Sequence, residues 1–158
     1  MIFRPYRPDD FAQLYAIEEV CFQPPHRFDR RYMWQLVSSA TAATWIAEED
    51  ARLAGFAIVE WAAEAGEAFA YIQTIDVGPS HRQRGVGAEL LRHIENSALA
   101  AGAAQIWLHV DAQNEGAIRL YRAHGYKFGG LQEHYYGQDR AAEIYIKALG
   151  ELKTEGPP

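Results

Sequence analysis

The passage from residue 69 to residue 102 constrains the fold more than any other part of the chain. Residues 69–77 read as a strand rich in apolar and β-branched side chains, and Gly78-Pro79 must end it because proline has no N–H to offer a ladder. Beyond the run His81-Arg-Gln-Arg-Gly-Val-Gly87, apolar residues recur at Val86, Leu90, Ile94 and Ala98, a helical stripe that predicts a helix over about 85–101, with Gly102 suited to stop it. A strand, a glycine-rich turn and a helix in that order call for a sheet with helices packed on it. The turn carries chemistry of its own. In Arg82-x-x-Gly85-x-Gly87 the glycines admit close backbone approach, and the N–H groups and positive dipole at a helix start suit a pyrophosphate. The turn lacks the Gly-Lys-Ser/Thr of a Walker sequence and the full glycine spacing of a dinucleotide-binding turn, so ATP and NAD fit poorly.

The remaining elements follow from periodicity and punctuation. Residues 2–4 form a short strand, and Asp9 or Asp10 is placed to cap a helix whose stripe is Phe11, Leu14, Ile17 and Cys21, with Glu18 and Glu19 largely outside it. Pro24 and Pro25 interrupt that pattern, and Asp29 reopens a helix through about residue 38. Residues 44–47 and 53–61 read as a hairpin. Ile106, Leu108 and Val110 alternate at strand period, which sends His109 to the opposite face. Asn114 caps a helix that turns Ile118 and Tyr121 toward the sheet, and residues 126–131 and 143–148 supply two closing strands. The whole is one α/β domain over residues 1–149, a mixed sheet flanked by helices, with a weakly ordered tail at 150–158.

Charge and composition narrow the function. With 21 acidic and 15 basic residues the net charge is -6, which argues against a nucleic-acid partner or an anionic membrane surface. Cys21 is the single cysteine, so an internal disulfide is excluded, and its place on an apolar stripe predicts buried packing rather than nucleophilic chemistry. The start turns charged at once and no apolar run approaches the length of a membrane span, so the expected compartment is the cytoplasm. Neither His-Glu-x-x-His nor a cysteine–histidine zinc pattern occurs, and no metal is expected.

Two long segments, IDVGPSHRQRGVGAELLRHIE at 75–95 and WLHVDAQNEGAIRLYRAHGYK at 107–127, resemble the GCN5-related N-acetyltransferase (GNAT) family, and the likeness runs from about residue 2 to residue 149. It implies an acetyl-CoA cosubstrate. The backbone of Arg82, Gln83, Arg84, Gly85, Val86 and Gly87 would hold the pyrophosphate, and the strand end at Ile75 and Val77 would run beside the pantetheine arm. Asn114 and Tyr121 would flank the cofactor, with Tyr121 near the sulfur to protonate the departing thiolate. Within the family, CFQPP, YIQTIDV and HYYGQDRAAEIYIKAL are most similar to the protein N-terminal acetyltransferases, including the ribosomal-protein-alanine type. On that likeness Tyr71 and His109 are the catalytic pair on the amine side, although the ribosomal-protein type carries a glutamate in place of His109. Phe22, Pro24, Tyr71, Tyr135 and Tyr136 would contact the acceptor, a protein or peptide N-terminus with ribosomal proteins among the candidates. Gln23 stands where the family often has proline.

The residues make chemical sense without the likeness. An ordinary histidine titrates near pH 6.5 and takes a proton near neutrality, whereas a phenol titrates near 10 and serves as donor or relay. Residue type alone leaves a structural role open for His109, allows equally that Tyr71 only packs, and favours Tyr121 as a core residue. An α-amine, with a pKa of about 7.7 to 8.0 against about 10.4 for lysine, is the acceptor a modest base can handle. Acetylation of lysine or of a small-molecule amine is the alternative in the same class, and a noncatalytic acyl-CoA or peptide-binding regulator the alternative outside it.

Overall fold

The computed structural model describes residues 1–64, 66–137 and 139–150, with the backbone alone at residue 64. The tail expected at 150–158 therefore lies outside the described residues except for Gly150. Seven strands and four α-helices follow one another as β1 (Ile2–Pro5), α1 (Phe11–Cys21), α2 (Arg30–Val37), β2 (Ala42–Glu49), β3 (Arg52–Glu64), β4 (Glu67–Val77), α3 (Val86–Ala100), β5 (Ala103–Asp111), α4 (Glu115–Ala123), β6 (Lys127–Gln132) and β7 (Ala142–Ala148). This is the element order the periodicity predicts, with most strands longer than their apolar cores suggested.

Local chemistry sets the boundaries. The Asp29 carboxylate accepts from the amides of Arg31 and Tyr32 at 3.1 and 3.4 Å and so caps α2. Asp50 and Ala51 join β2 to β3 with φ of 52° and 63°, the left-handed pair whose twist suits a two-residue hairpin. Asn114 caps α4 through the amide of Ala117 at 3.2 Å. Asp10 behaves otherwise than expected. It makes no side-chain cap for α1, because Arg4 grips both its oxygens at 2.8 and 2.9 Å and the Arg7 amide adds a bond at 2.7 Å. Arg4 holds that carboxyl below the usual carboxylate range.

Two hydrophobic layers sandwich the sheet. Leu90, Leu91, Ile94 and Ala98 of α3 are fully buried against a face carrying Ala57, Val59, Ala70, Ile106 and Leu108. On the other face Phe11 and Leu14 of α1 with Met33 and Leu36 of α2 cover Ile46, Phe56 and Ile58. Each such Val, Leu, Ile, Phe or Met side chain contributes roughly 1.5–3 kcal/mol on burial. Glu18 belongs to this second interface instead of lying outside the stripe, and it is 1% exposed. Its position explains why: four residues after Leu14 it shares that residue's face of the helix. Its Oε2 accepts from the Phe28 amide at 2.9 Å, and the carboxylate lies beside buried Asp76 of β4.

The sheet order β1-β2-β3-β4-β5-β7-β6 is antiparallel everywhere except between β4 and β5. That one parallel pair is short. It runs from Ala68 opposite Ala103 to Tyr71 opposite Trp107 and then stops, while both strands continue for several residues. A bulge aids the divergence, since Ile58 pairs with Thr74 but Val59 with Ile72, leaving Gln73 as an extra residue in β4. The two strands part like the arms of a V.

Candidate active site

A cleft of about 930 Å³ fills the opening between the parted strands. Its floor is the free half of β4 from Tyr71 to Ile75 and of β5 from Trp107 to Asp111. One wall comes from the loop after α1 through Phe22, Pro24 and His26, another from the β6–β7 loop through Tyr135 and Tyr136, and Asn114 and Tyr121 close the side toward α4. Nine residues expected from sequence thus meet around one space: Phe22, Pro24, Tyr71, Ile75, His109, Asn114, Tyr121, Tyr135 and Tyr136.

Tyr71 and His109 form a hydrogen-bonded pair at the apex, with Oη 2.8 Å from Nδ1. The other ring nitrogen, Nε2, lies 3.0 Å from Oε1 of Gln132. Tyr135 stacks on the imidazole at a centroid distance of 4.2 Å and an angle of 9°, and Trp107 meets Tyr71 edge-on at 4.7 Å. Burial lowers the His109 pKa against a smaller upward pull from Gln132, so the ring stays neutral and basic through neutral pH. Burial pushes the Tyr71 phenol well up, which keeps its proton in place.

Tyr121 is 6% exposed, and burial, followed by the nearby Asp76, raises its phenol above the ordinary range. A phenol so held is a proton donor at any working pH. Cys21 departs from its expected place in the core: it is half-buried at the cleft wall, with Sγ 3.4 Å from the Val77 carbonyl. Burial pushes the thiol up to about 11, which makes it a poor nucleophile.

The glycine-rich turn lies just past the end of β4. Gly85 takes φ +80° at the N-cap of α3 and Gln83 takes φ +61°, so the chain coils tightly enough to aim the first amides of the helix outward. Val86 is 4% exposed with its side chain in the core, which leaves only its backbone for a ligand. At Gly87 an added Cβ would stand 3.5 Å from Leu120, an ordinary contact, so protein packing alone does not demand glycine there. The arginine side chains are otherwise engaged. Arg82 donates through Nε to the Val77 carbonyl at 3.0 Å, and Arg84 holds Glu49 of β2 at 2.8 and 3.2 Å, where His81 joins at 3.2 Å. Among the expected cofactor residues, Val77 and Arg82 through Gly87 lie outside the lining of the cleft.

Sequence reading missed a second cluster. Asp111, at the end of β5, accepts from His26 Nε2 at 2.6 Å, from Arg140, and from the Gln113 amide at 2.8 Å. Burial opposes its charge, but these donors outweigh burial and hold its carboxyl below the usual range. Tyr136 stacks on His26 at 4.3 Å, so the two acceptor-side loops are clasped together over one carboxylate. Gln132, Asp111, His26 and Arg140 carry no local pattern, and only the strand register reveals their neighbours.

Residues 9–126 match the acetyltransferase (GNAT) family. The chain belongs to that family. Streptothricin acetyltransferase of Streptomyces lavendulae is 40% identical over 94 residues, which is 60% of this chain and 48% of that protein. The ribosomal protein bS18-alanine N-acetyltransferase of Escherichia coli is 31% identical over 102 residues, 64% of this chain and 66% of that protein. The matched stretch therefore spans between about half and two thirds of these relatives. In fold, the GNAT chain superposes on the Escherichia coli S18-alanine enzyme with TM-score 0.81 at 22% identity, covering 94% of this chain and 93% of that one. It superposes on Arabidopsis thaliana NAA60 in complex with acetyl-CoA with TM-score 0.83 at 21% identity, covering 94% and 98%. Among the described residues no helix is long and apolar enough to cross a membrane.

Proposed function

We propose that residues 1–149 form one catalytic domain that transfers an acetyl group from acetyl-CoA to the free α-amine of a protein or peptide. The observation that carries this reading is the Tyr71–His109 pair at the apex of the cleft, with Tyr121 on the α4 side of the same space. A base and an acid on either side of one opening suit direct attack of an amine on a thioester. Support for the cosubstrate comes from the fit of the turn, where left-handed Gly85 and the outward amides of α3 suit a pyrophosphate.

The protein's groups divide the work. His109 takes a proton from the acceptor amine by way of the Tyr71 oxygen, and the parted β4 backbone offers N–H groups to the developing oxyanion. Tyr121 gives its proton to the departing thiolate. The aromatic walls, Phe22, Tyr135 and Tyr136 among them, exclude water and suit a short polypeptide end. A neutral base of depressed pKa favours an α-amine, which loses its proton far more readily than lysine does. The relationship to the bS18-alanine enzyme supports a protein N-terminus, a ribosomal protein included, as acceptor. The 40% identity to streptothricin acetyltransferase favours a second reading in which the amine belongs to a small molecule. Cys21, a lone and unbridged thiol, suits the cytoplasm as the working compartment.

Mass spectrometry of acetyl-CoA reactions decides between the two. The acceptors are peptides with varied first residues, the same peptides blocked at the N-terminus but containing lysine, and a panel of small amines. The proposal expects mass gain on free N-termini and none on blocked peptides. Acetylation of small amines alone would overturn it.

A further inference from the structure

We propose that Gln132 is a positioning residue that holds the His109 ring protonated on Nε2, so that Nδ1 is the acceptor for the Tyr71 phenol. Gln132 is the last residue of β6, two strands away from His109 in the sheet. Its side chain reaches across β7 at Ala142, the small residue that stands opposite both Gln132 and Asp111 in the strand register. The amide oxygen then meets Nε2 at 3.0 Å. In this orientation of the amide its oxygen faces the ring and accepts, so that nitrogen carries the proton. A neutral imidazole has one N–H, and the nitrogen 2.8 Å from the Tyr71 oxygen is left with its lone pair. The phenol therefore donates to Nδ1, and burial of that phenol keeps its proton available.

The consequence is directional. Both imidazole nitrogens are occupied and one ring face lies under Tyr135, so His109 meets the acceptor amine through Tyr71 rather than directly. In transfer, an amine N–H bond breaks as an O–H bond forms at Tyr71, while the original phenolic proton moves to Nδ1. The product is an imidazolium whose N–H groups point at Gln132 and Tyr71, and it later returns one proton to solvent. Gln132 thus orients the ring before the reaction and stabilises its charge afterwards. The opposite tautomer would leave Nδ1–H facing the phenol and no acceptor for the proton.

No carboxylate touches this ring among the described residues. β4 contributes Tyr71, β5 contributes Trp107 and, two residues beyond His109, Asp111 already bound to His26 and Arg140, β7 contributes apolar Ile144, and the β6–β7 loop contributes Tyr135 and Tyr136. Gln132→Glu would place the first one there.

The test has two arms, and only the kinetic arm rests on the acetyl-transfer reading. Long-range proton–nitrogen NMR of histidine-labelled protein without ligands reports the His109 tautomer directly. The wild type should show Nε2–H, and Gln132→Leu should lose that preference. In single-turnover acetyl transfer, Gln132→Glu should raise the acidic limb of the pH profile by about one unit or more, as a carboxylate beside an imidazole does. Gln132→Leu should lower the plateau rate by about tenfold, less than the 10²–10⁴ at stake in the whole base. An Nδ1–H tautomer in the wild type overturns the proposal, and so does an unmoved acidic limb in folded Gln132→Glu. If no amine is acetylated, the function proposed above fails while the NMR arm still decides the tautomer.

Discussion

The turn beyond β4 and the apex of the cleft are the two ends of the proposed site, and they are built differently. The turn from His81 to Gly87 presents backbone, with Gly85 left-handed, Val86 buried, and Arg82 and Arg84 tied to Val77 and Glu49. The acceptor end presents side chains drawn from several separate segments: Tyr71 on β4, His109 and Asp111 on β5, Gln132 on β6, His26 on one loop and Tyr135 with Arg140 on another. A backbone site suits a group that every member of a family can share, as the proposed phosphate contact would be. A side-chain site is where one member can differ from another.

That division is open to attack by mutation. The largest effect is expected from Tyr71→Phe, which keeps the ring against Trp107 but removes the relay oxygen. Single-turnover transfer at pH 7 should fall about 10²–10⁴-fold, measured by rapid quench. A similar rate for wild type and variant would detach Tyr71 from the chemistry.

Gly85→Val strikes the other end. No protein atom lies within 4 Å of the added Cβ, so strain arises from φ +80° rather than from a clash. The cost in stability is roughly 1–2 kcal/mol, as for any branched residue forced left-handed. Acetyl-CoA affinity should fall about tenfold in a calorimetric titration of the folded variant, since the branched side chain also crowds the ligand's approach to the first amides. Equal affinity would mean that the turn does not grip the cofactor closely.

Asp111→Asn removes the charge that clasps His26 and Arg140 while keeping the side chain's shape. Peptide KM should rise a few-fold with kcat little changed, because the clasp shapes the acceptor walls without touching the reacting atoms. A fall in kcat at constant KM would instead place Asp111 in the chemistry.

The smallest expected effect concerns stability. Burial and then Glu18 raise the Asp76 carboxyl well above its ordinary value, so the folded state holds a proton that the unfolded chain releases near pH 3.9. Stability should therefore decline as pH rises from about 4 toward the raised folded value. Asp76→Asn should flatten that slope, read from denaturation midpoints at pH 5 and pH 8. An unchanged slope would assign the proton elsewhere.

The same contrast explains what was legible in the sequence. The strand, turn and helix around Gly85 lie within about thirty consecutive residues, and each announces itself by period or by glycine, so that local structure could be read directly. Tyr71, His109 and Tyr121 were found because they sit inside recognisable motifs on regular elements. Gln132 was not, because an unremarkable glutamine becomes informative only when the β5-β7-β6 register brings it across Ala142. Asp111, His26 and Arg140 failed for the same reason, being far apart in sequence and joined only by tertiary packing. Glu18 shares the face of Leu14 four residues before it, and its carboxylate finds a buried partner in the Phe28 amide that no local pattern announces. Asp9 or Asp10 suits a helix cap by sequence, but Arg4, on a strand six residues before Asp10, gives no local sign that it will claim both Asp10 oxygens.

Equilibrium titration of acetyl-CoA into Tyr71→Phe beside Gly85→Val tests the separation of the two ends most directly. The account predicts that Tyr71→Phe binds acetyl-CoA within about twofold of the wild type despite its lost transfer rate, while Gly85→Val binds about tenfold more weakly. Weakened binding by folded Tyr71→Phe, with Gly85→Val left at wild-type affinity, would contradict it.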